Sequence, residues 1–531
     1  MDEAQSKPKG PDLALGVKLG DIADGTSLLG HVGDEAVLLA RLANEFFAIG
    51  SACSHYGGPL AEGLIVGDTV RCPWHHACFS LRSGEAVGAP AFNPVPCWRV
   101  QKRNGKVFVH EKVDSASQRR SGKLRSISGK PERIVIVGGG AAGFAATEML
   151  RREGFAGSLT LLSADDAAPY DRTNCSKDYL AGNVPEGSMP LMQPQFYQEK
   201  SIEVQLGVTV TSIDVKARHV ALSDDQKIPF DKLLLATGAE PVRLDVPGAN
   251  QPHVHVLRSL SDSRAIIAQA KEARRAVVLG ASFIGLEVAA ALRAREIEVH
   301  VVAPERRPLE RVLGREYSDF IRELHEEHGV VFHFEETATA IDRKDVKLSG
   351  GQVLPADLVV VGVGVRPRIQ LAERAGLKTD RGVIVNEYLQ TSAPEIFAAG
   401  DIARWPDPHT GEKLRIEHWV VAERQGQTVA RNMLGQRRPF SDMPFFWSQH
   451  YDVQINYVGH AENWDELRTE GSIAARDCLV RYYRSGKILA AASISRDLPN
   501  LTVEVALEHA SALPVAESDH RGKEDEQELP V

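Results

Sequence analysis

The sequence predicts a multidomain chain of three kinds of folding unit. An all-β unit comes first, an α/β body built on parallel strands follows, and an α+β unit closes the C-terminal end. Three observations carry this. The first ~112 residues hold short apolar runs, AVLLARL, EFFAIG, TVRCP and KVFVH, separated by Gly- and Pro-rich turns. A strand, a glycine turn and a helix then occur twice, in IVIVGGGAAG (134–143) and AVVLGASFIGLEVAAAL (276–292). After residue 440 the chain is aromatic-rich, and CLVRYYRSGKILAAASI reads as two strands around a Ser-Gly turn. With 531 residues, 43% hydrophobic and 25% charged, roughly three or four domains are expected, each with its own core. The domains expected are 1–112, a linker at 113–130, a first α/β unit split between 131–250 and 371–440, a second inserted at 251–370, a C-terminal unit at 441–515 and a disordered tail at 516–531.

Composition excludes several classes of function. A net charge of −9 gives no overall attraction for nucleic acid. The start, MDEAQSKPKGPD, lacks an apolar signal core, and no run of ~18 apolar residues predicts membrane insertion. Six cysteines are too few for a disulfide scaffold, so a reducing, cytoplasmic setting is expected, where clustered cysteines favour metal or redox chemistry.

The cysteines cluster in the β unit. Cys53-x-His55 lies in ACSHYGGPL, and Cys72-x-x-His75 lies in RCPWHHACFSLRSGE. Two thiolates on one iron and two neutral imidazoles on the other make a Rieske [2Fe–2S] centre; a Cys2His2 zinc site is the chemical alternative. Cys53, His55, Cys72 and His75 are the expected metal ligands. Residues 12–112 resemble Rieske ferredoxin domains. The high-potential members carry an extra cysteine in each loop, where Gly58 and Trp74 stand here, so the resemblance is to the lower-potential type. His76 takes a position where that type usually has Gly, and a partly exposed side chain is expected there. Cys78 and Cys97 fit no ligand pattern and are expected as packed thiols. The following VDSASQRRSGKLRSISGK reads as a flexible tether that holds the iron–sulfur unit near the next one.

In the first turn, Gly138 allows a tight bend, Gly140 lets backbone approach a pyrophosphate, and Gly143 lets helix pack on strand. This turn is expected to hold FAD. Asp165 is the acid nearest the end of the second strand, where ribose hydroxyls bind. YDRTNCSKDYL resembles PYDRPPLSK of the flavin-dependent ferredoxin reductases. That resemblance puts Arg172 and Lys177 against the flavin, where a cation stabilises the anionic reduced ring. LLLATGAEP (233–241), with Thr237 and Gly238, resembles the point where the chain leaves the flavin unit, and TSAPEIFAAGDIA (391–403) resembles its return. Asp401 would then bond the ribityl chain; a helix N-cap is the alternative. RIEHWVVAERQGQ (415–427) resembles the family's flavin and nicotinamide wall, which makes Glu417, His418 and Trp419 candidates.

The second turn has Gly280 and Gly285, with Ser282 in the middle place. It is expected to hold the nicotinamide dinucleotide. Glu287 matches the family's acid near the nicotinamide. Glu305 is the nearest acid after the next strand, and Arg306 and Arg307 could take a 2′-phosphate, so NADH is only modestly favoured over NADPH. VGVGVRP (361–367), with Gly364, closes this unit.

The whole order, over about residues 12–515, resembles the apoptosis-inducing-factor-like (Rieske-containing) oxidoreductases. The resemblance implies an NAD(P)H-dependent reductase in which hydride reaches FAD, single electrons reach the cluster, and an external one-electron acceptor protein, such as an oxygenase or cytochrome, takes them on. Lys177, Glu287, Glu417 and Trp419 are the expected catalytic residues, and a homodimer is possible. Two other readings stay open. Cys175, which related enzymes place beside the flavin, would suit a flavin peroxidase or disulfide reductase, although no CxxxxC dithiol is present; an NADH-responsive redox sensor is the other.

Overall fold

The computed structural model describes residues 9–113 and 131–512. Most of the expected tether and all of the expected tail therefore lie outside the described residues. The N-terminal unit is all-β. A six-stranded antiparallel sheet runs in the order Val17–Lys18, Lys106–Val113, Cys97–Arg103, Glu45–Gly50, Glu35–Leu42, Ser27–Val32. A four-stranded sheet of Leu64–Val66, Thr69–Arg71, Cys78–Ser80 and Ala86–Gly88 stands apart from it and carries the second cysteine loop. Leu38, Ile49, Val70 and Phe79 pack between the two sheets.

The body contains one design twice. In each copy a glycine turn links the central strand of a five-stranded parallel sheet to a helix. The first sheet runs Glu203–Gln205, Ser158–Leu162, Arg133–Val137, Lys232–Leu235, Ile396–Ala398. Its last strand arrives from far along the chain, so this unit is completed only after the second has been inserted. The second sheet runs Val254–Val256, Leu358–Val361, Arg275–Leu279, Glu298–Ala303, Val330–Phe334. After a leading arginine each central strand is apolar and buried, because both faces are covered. Each copy also carries a three-stranded antiparallel sheet, at 210–229 and 338–355.

The C-terminal unit is a five-stranded antiparallel sheet, ordered Phe445–His450, Val453–Gly459, Lys487–Ile494, Asp477–Arg484, Glu466–Ser472. The Asp497–Ala512 helix, which the strand pattern did not foretell, packs on its Val453–Gly459 and Lys487–Ile494 strands. Among the described residues no helix is long and apolar enough to cross a membrane.

Candidate functional site

Two loops of the N-terminal unit share one backbone design. Cys53 N–H donates to Gly58 O (2.8 Å) and Gly57 N–H to Cys53 O (2.8 Å); Cys72 N–H donates to Ala77 O (2.8 Å) and His76 N–H to Cys72 O (3.1 Å). The fourth residue after each cysteine is left-handed, with φ 77° at Gly57 and 60° at His76. His76 thus does a glycine's backbone work. It is also buried, at 1% exposure, which corrects the expectation of an exposed side chain. The C-terminal unit encloses it: Glu504 Oε2 lies 2.5 Å from His76 Nδ1, and the ring stacks on Phe445 at 4.0 Å.

The four expected ligands converge. Cys72 hydrogen-bonds Cys53 and draws that thiol's pKa down. The His55 and His75 rings meet edge-on at 5.0 Å. Burial pushes His55 down to about 4 and His75 well below its ordinary value, so both are neutral, the form that ligates metal. His55 Nδ1 is buried with no protein partner. A Cβ on Gly58 would stand 2.6 Å from Cys72 Sγ, so glycine is what lets the two loops approach. Among the described residues no three His, Cys, Asp or Glu side chains gather round one ion, as a zinc site requires. Two Cys and two neutral His in facing pairs fit a [2Fe–2S] cluster.

A cavity of about 1580 Å³ opens between the two α/β units and the C-terminal sheet. Gly138, Gly140, Asp165, Arg172, Thr237, Gly238 and Asp401 wall it on one side, and Ser282, Glu287 and Gly364 on the other; Lys177, Glu417, His418 and Trp419 face it between them. Gly143, Gly280 and Gly285 lie behind the wall and act on packing. A Cβ on Gly143 would fall 1.8 Å from Gly138 O, and one on Gly285 would fall 2.2 Å from Gly280 O. At Gly140 the nearest atom to a Cβ is Arg172 Nη2, at 3.9 Å, and no side chain caps the helix behind it, which leaves its N-terminal N–H groups for a phosphate. At the second turn the Ser282 hydroxyl accepts from Gly285 N–H (3.2 Å) and donates to Gly362 O (2.8 Å). The middle residue of the second turn therefore caps its own helix. Glu305 is exposed and lies outside the wall; Arg306 pairs with Glu335, and Arg307 with Asp319.

The polar groups around the cavity are held in place. Asp165 accepts from Tyr170 (2.7 Å), and Arg172 donates to Arg258 O (3.0 Å). Asp401 pairs with Arg258 at 2.5 Å and caps no helix, since the chain turns from it into the Ala403–Pro406 strand. Burial pushes Glu417 up, against the pull of its partner Arg415. Lys177 Nζ lies 2.9 Å from Glu287 Oε2, and Ser176 (2.5 Å) and Ser448 (2.6 Å) donate to the same carboxylate. Cys175 stands behind the wall among Tyr170, Tyr179, Met189 and Leu260, and burial pushes its thiol up to about 12. A thiol held neutral is a poor nucleophile, which weighs against chemistry at Cys175.

The cluster loops dock on this cavity. Tyr56 donates to Asp171 and accepts from Asn174 (2.9 Å), in the segment that leads to Lys177. Trp447 walls the cavity, and its ring lies 4.3 Å from that of His75 and 6.2 Å from that of His55. Sequence reasoning missed Trp447, and it missed Glu423, whose buried carboxyl is pushed well above its ordinary pKa by burial and by Asp171, against the pull of Trp419 and Arg424. Aromatic density around residues 445–450 was the only signal for the first; nothing in the sequence marks the second.

Comparison with known proteins agrees with this organisation. Residues 132–426 match the pyridine nucleotide-disulphide oxidoreductase family, 16–99 the Rieske [2Fe-2S] domain and 445–517 the reductase C-terminal domain. Human apoptosis-inducing factor 3 is 32% identical over 90% of this chain and 81% of its own length. Putidaredoxin reductase of Pseudomonas putida is 34% identical over 69% of this chain and 89% of its own. The crystal structure of the covalent putidaredoxin reductase–putidaredoxin complex superposes with a TM-score of 0.69, at 32% identity, covering 71% of this chain and 93% of that one. The chain belongs to the pyridine nucleotide-disulphide oxidoreductases, as a ferredoxin-type reductase that uses FAD and NAD(P)H and carries a Rieske [2Fe–2S] domain of its own.

Proposed function

We propose that this reductase passes electrons from NAD(P)H through FAD to its own [2Fe–2S] cluster, and from there to an external one-electron acceptor protein such as an oxygenase or a cytochrome. The nicotinamide is a hydride donor, the flavin converts between two- and one-electron chemistry, and the cluster is a one-electron carrier. The chain's own residues bind and orient. Gly138, Gly140, Gly143, Asp165, Arg172, Thr237, Gly238 and Asp401 form the FAD side of the cavity, with Asp401 fixed by Arg258. Gly280, Ser282, Gly285 and Gly364 belong to the nicotinamide side, while Glu305, the acid expected for it, stands outside the wall. Lys177, held by Glu287, places a cation at the junction, with Glu417 and Trp419 across from it. Cys53, His55, Cys72 and His75 hold the cluster.

One observation carries the electron path: Trp447 touches both sites, with one side in the cofactor cavity and its ring 4.3 Å from that of His75. A cluster meant only for a separate reductase would have no need of this contact. The test is an anaerobic titration with NADH, followed by visible absorption and low-temperature EPR. Bleaching of the flavin together with a reduced Rieske signal is expected. Bleaching without a cluster signal overturns the path and returns weight to the sensor. In the same assay Cys72→Ser should abolish cytochrome c reduction yet spare reduction of a dye by the flavin.

A further inference from the structure

The two glycine turns follow one plan, so the strands beside them can be compared residue by residue. Gly138 N–H donates to Leu162 O and Gly280 N–H to Val302 O, each at 2.8 Å. Leu162 pairs with Val137 and Val302 with Leu279, the last residues of the two central strands. Ser163 therefore corresponds to Ala303, Ala164 to Pro304, Asp165 to Glu305 and Asp166 to Arg306.

The matched positions differ in what holds them. Asp165 walls the cavity, accepts from Tyr170 at 2.7 Å and lies 3.8 Å from Arg172. Glu305 is exposed and outside the wall, and its carboxylate makes no hydrogen bond or ion pair among the described residues. Arg306 stands where the first copy has an acid. Its Nε donates to Glu335 at 2.9 Å, with the two side chains 77% and 62% exposed. A surface pair of this kind contributes little, so the guanidinium exchanges partners at small cost. Arg307 is held more firmly, between Asp319 (2.8 Å) and Glu310 (3.6 Å). Glu336, whose N–H donates to Ala303 O, is engaged by the Ser349 hydroxyl (2.5 Å) and by Gly350 N–H (2.8 Å).

We propose that the nicotinamide site does not discriminate against a 2′-phosphate: it takes NADPH as readily as NADH, with Arg306 as the residue that meets the phosphate. The inference rests on the reductase reading above and specifies its electron donor. A dinucleotide site rejects NADPH when a carboxylate fixed at the end of the second strand accepts from the ribose hydroxyls, because a phosphate there sets like charges together. Asp165 is fixed in that way. At the second site the strand ends in Ala303, and the next acid along the chain, Glu305, is solvated. Its charge is screened within about 8 Å at physiological salt, so it repels weakly. An arginine meets a phosphate dianion with two parallel charge-assisted bonds, which a ribose hydroxyl cannot match. Arg306 thus offsets Glu305, and neither nucleotide is excluded.

The test uses the holoenzyme. Bleaching of the flavin in anaerobic stopped-flow should give second-order rates for NADPH and NADH within about fivefold of each other. Arg306→Gln should lower the NADPH-to-NADH ratio by about tenfold, the loss of a charge-assisted pair. Glu305→Gln should raise it by no more than about threefold. Both side chains are exposed, so the fold does not depend on them. Calorimetry with adenosine 2′,5′-bisphosphate and 5′-AMP should show the same pattern: affinities within about fivefold, and an Arg306→Gln loss of about tenfold confined to the bisphosphate. A rate for NADPH below about a hundredth of that for NADH, or a ratio unmoved by Arg306→Gln, would overturn the proposal. Calorimetry reads the site without electron transfer, so the proposal is decided even if the flavin fails to reduce the cluster and the electron path itself falls.

Discussion

Two buried polar networks lie behind the two redox sites, and they are built differently. The one behind the cofactor cavity is linear: after the Lys177–Glu287 pair come only a hydroxyl, two neutral imidazoles and a phenol, each linked to the next. The one behind the cluster is branched and charged. Glu504, fully buried, meets His76 at 2.5 Å, Arg424 at 2.8 Å and Arg71 at 4.0 Å, while Arg71 also forks onto Glu508 at 2.8 and 3.1 Å. Arg424 donates to Met443 O as well (3.1 Å). Beyond the Lys177–Glu287 pair the first network is neutral, because burial holds both imidazoles uncharged. The second ties Arg71 and His76 of the N-terminal unit to Glu504 and Glu508 of the C-terminal helix, and so holds two domains in register.

The comparison breaks first at Arg424. Arg424→Met leaves Glu504 buried with its nearest arginine gone, a loss of about 3–5 kcal/mol. The cluster absorbance should then be lost at lower denaturant concentration than the flavin absorbance, and further ahead of it than in the unaltered protein. If both still unfold together at the original midpoint, the network does not clamp the N-terminal unit.

Acid separates the two networks next. Burial alone pushes Glu504 up, but His76 and Arg424 outweigh it and hold the carboxyl well below the usual range. Its contribution is therefore complete above the unfolded value of about 4.3 and is lost as pH falls through the folded value. His450 works in the opposite sense. It is neutral when folded, down to about 4, while the unfolded chain takes up a proton near 6.5. Stability is lost as pH falls below about 6.5, by up to about 1.4 kcal/mol per pH unit. Unfolding midpoints followed against pH should show the cavity-side loss first, below about pH 6.5, and the clamp's loss only below about pH 4.3. His450→Gln should flatten the first slope, and Glu504→Gln the second.

Trp447 lies where the comparison meets the proposed electron path. Trp447→Leu keeps an apolar side chain but removes the ring next to His75. Cluster reduction on addition of NADH, read by rapid-freeze EPR, should slow by about tenfold or more, since small losses of contact between reacting groups are costly. An unchanged rate would show that electrons reach the cluster by another face, such as the Tyr56–Asp171 contact.

The sequence made the ligand pairs and both glycine turns legible because each is local: ligands two or three residues apart, glycines within six. The same locality hides the networks. Glu287 and Ser448 are 161 residues apart, and His325 and His450 are 125 apart; only the closed fold sets one beside the other. The Asp497–Ala512 helix escaped for a related reason. Its inner face, Asn500, Leu501, Val503, Glu504 and Leu507, mixes polar with apolar residues because Glu504 and Asn500 serve the neighbouring units, which interrupts the apolar period that marks a helix. His76 misled in the same way: a histidine in a glycine's place reads as exposed until its partner, brought by that helix, is known.

The smallest effect sharpens the comparison between the two cluster loops. Gly57 and His76 hold equivalent left-handed positions, but a Cβ at Gly57 would meet nothing within 4 Å, whereas His76 meets Glu504 and Phe445. A non-glycine residue in this region carries about 1–2 kcal/mol of strain. At His76 the contact with Glu504 and the stack on Phe445 offset that strain; at Gly57 nothing would. His76→Gly should relieve the strain and lose the contacts, with Glu504 still held by Arg424 and Arg71, for a net change within about 1 kcal/mol. Gly57→His should lose the full 1–2 kcal/mol or so. Thermal unfolding followed at the cluster absorbance separates the two. Equal losses would mean that Glu504 gives His76 nothing, and that the clamp rests on Arg424 and Arg71 alone.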